Sequence, residues 1–336
     1  MKDRNEINDY AKETSNHDPE SQQLDGNLLA RFGHIPESHG LKRRLRIHQG
    51  WWRMNVLNEE PGKHPKEKNK TVCNTIRNGE TTKKNFLTPN TIKALESTLA
   101  DRQESSPGMM QMDRLYDNLL SSQPLCFNFF GELFADKNFG LKVLQNWWPE
   151  ITKLKRVDFE YAPRDRFTGD NSAFDVAFEV MVANKLGLIG LECKYTDTFS
   201  SKEYSKTAYE KIFAGSNSFN ASYEVLKTSR YNQLFRNELL AEAIRQKGKY
   251  AFVRTGLFCQ EMDHSAIKIA QEMKGMLKDP NHFTTITYRS YIEKIQRLDL
   301  CWELREWTML LWARYCGTTL SEEIYQLIEK NANKMK

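Results

Sequence analysis

Glu192 and Lys194 stand one residue apart at the end of an apolar run, LGLIGLECKYTDTF, residues 186–199. Successive side chains of a strand point to opposite faces, so these two share one face while Leu191, Cys193 and Tyr195 share the other. A Glu-x-Lys triplet arises by chance about twice in a chain of this composition. The same chain holds a control: Glu272 and Lys274 in IKIAQEMKGMLK have the same spacing, but Ile267, Ile269, Ala270, Met273 and Leu277 give that segment a helical period. Residues two apart on a helix do not face each other. The triplet gains meaning only from what lies across from it.

Residues 173–183 and 186–195 read as two strands joined by a short turn around NKLG. A turn centred between Asn184 and Leu186 sets Asp175 opposite the stretch Lys194 to Thr196, and a tighter turn moves its partner to Glu192. In either register Asp175, Glu192 and Lys194 occupy one face at one end of the sheet. Two adjacent carboxylates repel, and without a partner one tends to stay protonated. A divalent cation removes that conflict: Mg²⁺ takes one or two carboxylates and completes its shell with water and substrate phosphate. Lys194 can then hold the attacking water or stabilise charge on the phosphate. The bland alternative is an exposed hairpin salt bridge worth about 0–1 kcal/mol, which explains the charges but not their arrangement.

The elements that must position these residues follow a simple order. Residues 1–26 are polar and are expected to be a disordered tail; 27–108 form a basic amino-terminal region; 109–336 have the texture of a globular domain. In that domain, 112–136 reads as a helical segment interrupted near Pro124, and 151–163 as a strand before the 173–195 hairpin. Helices at 202–213 and 223–246, a strand at 250–259 and further helices with another strand come next. Trp302, Trp307 and Trp312, with Leu304, Leu310 and Leu311, are read as a buried helix. No glycine-rich phosphate loop and no Gly-x-Ser-x-Gly elbow is present. His34, His39 and His48 lack the spacing of known zinc sites.

The net charge of +5 is uneven. Between Leu41 and Lys93, thirteen Lys and Arg stand against four Glu, a local +9 that leaves −4 for the rest. The densest part, LKRRLRIHQGWWR, interleaves Lys42, Arg43, Arg44, Arg46 and Arg53 with Trp51 and Trp52. It is read as a phosphate-gripping surface, with a solvated face as the alternative. Six scattered cysteines without a C-x-x-C pair argue for reduced thiols and a cytoplasmic setting. The start MKDRNEINDY is not a signal peptide, and no apolar run approaches a membrane span.

Phe174-Asp175, sixteen residues, then Glu192-Cys193-Lys194 within an apolar strand resembles the PD-(D/E)XK nuclease superfamily, the fold of many restriction endonucleases. SSQPLCFNFFGEL, TGDNSAFDVAFE and LECKYTDTF together are similar to a restriction-endonuclease-like group within it, over roughly residues 112–315. The resemblance implies an α/β restriction-endonuclease-like core with a central mixed β-sheet flanked by helices, here with a basic amino-terminal extension. It implies that Asp175 and Glu192 bind Mg²⁺, with Mn²⁺ as a substitute, and that Lys194 serves the nucleophilic water. Phe174 stands where the superfamily commonly has proline. Glu132 in CFNFFGELF matches a further acid facing the metal, with a solvent-facing helix glutamate as the alternative. Gln233 in YNQLFRNELL matches a glutamine near substrate or metal, with Arg236 and Asn237 as companions. The function so implied is Mg²⁺-dependent endonucleolytic hydrolysis of DNA in restriction or defence; the alternatives are an inactive DNA-binding protein of the same fold and an RNA-processing protein. Double-stranded DNA is the expected partner and no membrane is expected, while a homodimer and a partner methyltransferase are left open.

Overall fold

The computed structural model describes residues 31–37, 39–64, 67, 69–102, 110–200 and 202–334. The polar tail expected at 1–26 lies outside the described residues. Five strands form one mixed sheet: β1 (Lys153–Tyr161), β2 (Phe174–Val182), β3 (Lys185–Lys194), β4 (Phe252–Cys259) and β5 (Phe283–Thr287), in that order across the sheet. β1, β2 and β3 run antiparallel, whereas β3, β4 and β5 run parallel. Helices cover both faces, which is why β2 and β3 read as almost continuous apolar runs rather than as a clean alternation.

The hairpin takes the tighter of the two expected registers. Val182 pairs with Lys185 and Val176 with Leu191, so Asp175 lies level with Glu192. Ala183 and Asn184 make the turn at φ 46° and 64°. A two-residue hairpin loop with both residues left-handed matches the twist of the flanking strands. At the other end of β2, Phe174 lies over Gly190: a Cβ there would come within 2.4 Å of the Phe174 ring. Gly190 thus makes room for the aromatic that precedes Asp175, and Tyr161 stacks on the same ring at 6.5 Å.

One face of the sheet packs Val176, Phe178, Ile189, Leu191 and Phe258 against the helix Ser122–Ala135, with Phe129 and Phe130 in edge and tilted contact with Phe258 at 4.9 and 5.0 Å. Pro124 sits in the first turn of this helix and does not interrupt it; the break in 112–136 falls before Ser122, where Ser121 caps the helix through the Gln123 N–H. Proline is tolerated there because first-turn N–H groups have no intrahelical partner. The opposite face packs Ala177 and Leu188 against Leu240, Ala241 and Ile244 of the helix Asn232–Gln246. The expected helix at 223–246 is divided, with a short turn at Tyr223–Leu226 before it.

The region before residue 109 packs into the core of the sheet domain: Leu45, Phe86, Ala94 and Leu95 share one buried cluster with Phe129, Val176 and Ile189. One expectation is corrected here. Of the three tryptophans in the helix Trp302–Tyr315 only Trp307 is core, at 1% exposure and beside Leu311 as expected, while Trp302 and Trp312 are 71% and 37% exposed. Positions five apart on a helix differ by about 140°, too much for three to share a buried face.

Candidate active site

β3 ends with Glu192 and Lys194 on the face away from Cys193 and Leu191, and both are almost enclosed at 7% exposure. Lys194 Nζ lies 3.4 Å from Glu192 Oε1 and donates to Gln233 Oε1 at 2.9 Å. Gln233 Nε2 donates to Glu192 Oε1 at 2.6 Å, and Asn237 Nδ2 donates to Glu192 Oε2 at 2.9 Å. Gln233 and Asn237 are four apart on the helix Asn232–Gln246 and so share the face turned to the strand end. Each oxygen of Glu192 is therefore oriented by an amide from one rigid helix. Tyr288 donates to the Lys194 carbonyl at 2.5 Å and fixes the backbone from behind.

Asp175 opens β2 beside them. The Cys193 N–H donates to its Oδ2 at 2.6 Å. Burial, then the negative charge of Glu192, then that of Glu160 hold its carboxyl well above the usual carboxylate range, against the pull of that N–H and of Lys194. The pair is thus arranged at a cost that a bound cation would lower. All three residues border one open cleft of about 490 Å³ at the carboxyl end of β3, the position where ligands bind to open α/β sheets. Among the described residues no cluster of three or more His, Cys, Asp or Glu is arranged to hold a metal. Two carboxylates are nevertheless a sufficient protein donor set for Mg²⁺, which keeps waters and substrate oxygens for the remaining positions. The donors present fit that ion.

The cleft also contains residues absent from the sequence reading. Glu160, at φ 48° near the end of β1, borders it, because Phe159 pairs with Val176 and Tyr161 with Phe174, which sets Glu160 level with Asp175. The parity that located Asp175 would have located Glu160, had the register across the 162–173 connection been fixed by a tight turn. Asp170 on that connection accepts from Thr168 Oγ1 at 2.7 Å, Ser172 N at 3.0 Å, Arg236 Nη2 at 3.1 Å and the Tyr209 hydroxyl. Burial raises its carboxyl, but the bonds from Tyr209, Ser172 and Thr168 outweigh that and bring it to about 2. Arg236 is thereby held within the chain.

Glu132 does not join the cleft. Its Oε1 accepts from Thr88 Oγ1 at 2.6 Å and its Oε2 from Asn90 Nδ2 at 2.9 Å, at the N-terminus of the helix Pro89–Asp101. The dipole of that helix favours a negative charge at this end. Gln123 on the same helix does reach the cleft, but Glu132 lies nine positions further, about 13 Å along the axis.

Four of the five basic residues expected to grip phosphate have partners within the chain. In the helix Gly40–Asn55, Arg43 pairs with Glu329 at 2.7 Å, Arg44 with Glu322 at 2.8 Å, and Arg46 with Glu37 at 2.5 Å. Arg53, 1% exposed, donates to the carbonyls of Cys73 at 2.8 Å and Phe32 at 3.0 Å. The four arginine charges are met by acids and carbonyls of the chain itself, and Lys42 is the one of the five that is open to solvent. His48, buried, bonds Ser321 at 3.0 Å and the Ala313 carbonyl at 2.9 Å, a structural role.

No helix among the described residues is long and apolar enough to cross a membrane. No curated protein and no solved structure matches the chain. A family model described as PD-(D/E)XK nuclease superfamily matches residues 36–317, a span that takes in the mixed sheet, the carboxylate pair, Lys194 and the helix that orients them. With most of its length matched, the chain belongs to the PD-(D/E)XK nuclease superfamily.

Proposed function

We propose that this protein is a Mg²⁺-dependent endonuclease that hydrolyses phosphodiester bonds in double-stranded DNA, in restriction or defence. The observation that carries the reading is the position of Lys194 Nζ, between Glu192 Oε1 at 3.4 Å and Gln233 Oε1 at 2.9 Å, in the cleft that Asp175 also borders. Nucleases of the superfamily generally use divalent metals; Asp175 and Glu192 would hold the ion here. When bound, Mg²⁺ supplies Lewis-acid charge against the phosphate. Gln233 and Asn237 keep the Glu192 carboxylate turned to the cleft, and the Cys193 N–H does the same for Asp175. Lys194 presents N–H donors to the attacking water and to the charge that grows on the phosphate oxygens, an interaction strongest in the transition state. The choice of DNA and of a restriction or defence role rests on the resemblance of the segments around 121–133, 168–179 and 191–199 to restriction-endonuclease-like proteins.

Purified full-length protein is expected to cleave DNA with Mg²⁺ or Mn²⁺ and not with EDTA. Lys194→Ala should lower cutting by about 10²–10⁴-fold, the usual contribution of one positioned group, while leaving DNA binding nearly intact. Protein that binds but cuts neither DNA nor RNA, methylated or not, under any divalent metal is a binding module of this fold. Cleavage of RNA alone would move the substrate to the RNA-processing alternative.

A further inference from the structure

Between β3 and the helix Thr207–Ala214 one described point of the chain is clamped. The Tyr204 N–H donates to Asn232 Oδ1 at 3.2 Å, and Asn232 Nδ2 donates back to the Tyr204 carbonyl at 3.1 Å. Asn232 is 1% exposed and also donates to the Lys227 carbonyl at 2.8 Å, so the clamp is itself fixed. A buried amide that holds both backbone groups of one residue restricts where its side chain can point. That side chain is an aromatic ring, 38% exposed, on the border of the cleft that contains Lys194.

Arg236 supports the ring from one side, with its guanidinium carbon 4.6 Å from the ring centroid. The guanidinium has its own anchors: Nε donates to Tyr209 at 3.1 Å, and Nη2 to Asp170 at 3.1 Å and Ser172 at 2.9 Å. Arg236 is therefore a rigid backing rather than a phosphate ligand. An exposed aromatic costs hydration free energy that burial would recover. This one is held at a cleft border instead, by a buried clamp and an anchored cation.

We propose that Tyr204 is a stacking platform for a nucleobase of the substrate next to the bond that is cut. The proposal rests on the nuclease reading of the cleft and narrows its substrate: the base on Tyr204 has left its own stack, so the nucleotide there is single-stranded, terminal or flipped from the duplex. Every base offers a π-face, so the platform selects for an unpaired nucleotide and is tolerant of its identity. Extracting a paired base carries an unstacking and unpairing cost that an unpaired base does not, so the preference for an unpaired position is built into the contact.

The test is equilibrium binding of fluorescein-labelled oligonucleotides to the full-length protein, in Ca²⁺ and in EDTA, with one abasic site walked along otherwise identical single strands and duplexes. Tyr204→Ala should weaken binding about ten- to a hundredfold, within the range for losing one stacked base. Tyr204→Phe and Tyr204→Trp should retain it, and thermal unfolding should be unchanged in all three. One abasic position should reproduce the loss in the parent and add nothing to it in Tyr204→Ala. Equal abasic losses in parent and variant at every position would overturn the platform, as would parent-like binding by Tyr204→Ala. Cleavage by the parent alongside either result leaves the nuclease reading standing. A position-specific loss in a protein that cuts nothing keeps the platform and removes the nuclease. A protein that binds no nucleic acid removes both.

Discussion

In the helix Gly40–Asn55, three arginines end on carboxylates of the same chain and a fourth on backbone carbonyls, so that dense positive charge is consumed where it stands. In the cleft the balance is left open. Lys194 approaches Glu192, while Asp175 takes a single backbone N–H and its carboxyl stays above the usual range because of burial and the neighbouring acid. Charge closed within the fold contributes stability and orders neighbouring segments. Charge left short of a counter-ion at a strand end is costly, and it is the arrangement that a cation and a phosphate would complete.

The two regions should respond oppositely to truncation, and this is the largest effect expected. Lys194→Ala should abolish most cleavage with a small change in melting temperature, because Gln233 and Asn237 still satisfy Glu192. Arg53→Ala should unfold the protein more easily, by about 2–4 kcal/mol, because carbonyls of Cys73 and Phe32 lose a buried charged donor and a cavity remains. Thermal melts and cleavage rates on both variants decide it; a stable, inactive Arg53→Ala would break the comparison.

Gly190→Ala should cost about 1–3 kcal/mol, since the added methyl meets the Phe174 ring at 2.4 Å and must push β2 aside. The same displacement moves Asp175, so cleavage should fall further than stability does. A variant with parent-like cleavage would show that Phe174 does not position the aspartate.

Asp170 sharpens the comparison by pH. Its carboxyl is brought to about 2 in the fold, below its ordinary value of 3.8, so it contributes stability above about pH 4 that is lost as pH falls towards 2. After solvent screening the contribution is about 1 kcal/mol. Asp170→Asn should flatten the acid limb of melting temperature against pH between about 4 and 2; an unchanged limb would mean that the bonds from Tyr209, Ser172 and Thr168 leave the carboxyl untouched.

The smallest effect belongs to Arg44→Ala. Its guanidinium already serves Glu322 at 2.8 Å and the Thr318 carbonyl at 2.6 Å, so the salt dependence of nucleic-acid binding should not change. A slope flatter by about 0.9 in log–log terms, the signature of one lost phosphate contact, would return the helix to the binding surface.

Much of the cleft was legible because strand alternation is a local rule. Once 174–182 and 185–194 are strands joined by two residues, Asp175, Glu192 and Lys194 have one face to share. Gln233 was reachable only through the resemblance, since nothing in a single helix says which strand end it meets. Glu132 misled for the same reason: its helix touches the cleft at Gln123, and the direction of the helix axis carries Glu132 to the N-terminus of another helix.

The amino-acid sequence by itself determined the period of each segment, the hairpin that brings two acids and a lysine together, and the family pattern they make, all set by neighbours within about twenty residues. Tertiary structure alone decided which charges stay open. The acids that close Arg43 and Arg44 lie at Glu329 and Glu322, far along the chain. Glu160 joins Asp175 only through a strand pairing across an irregular connection, and Tyr204 meets Arg236 only after the helix Asn232–Gln246 has docked on the sheet. Coulombic and stacking contacts depend on distance in space, and distance along the chain does not report it.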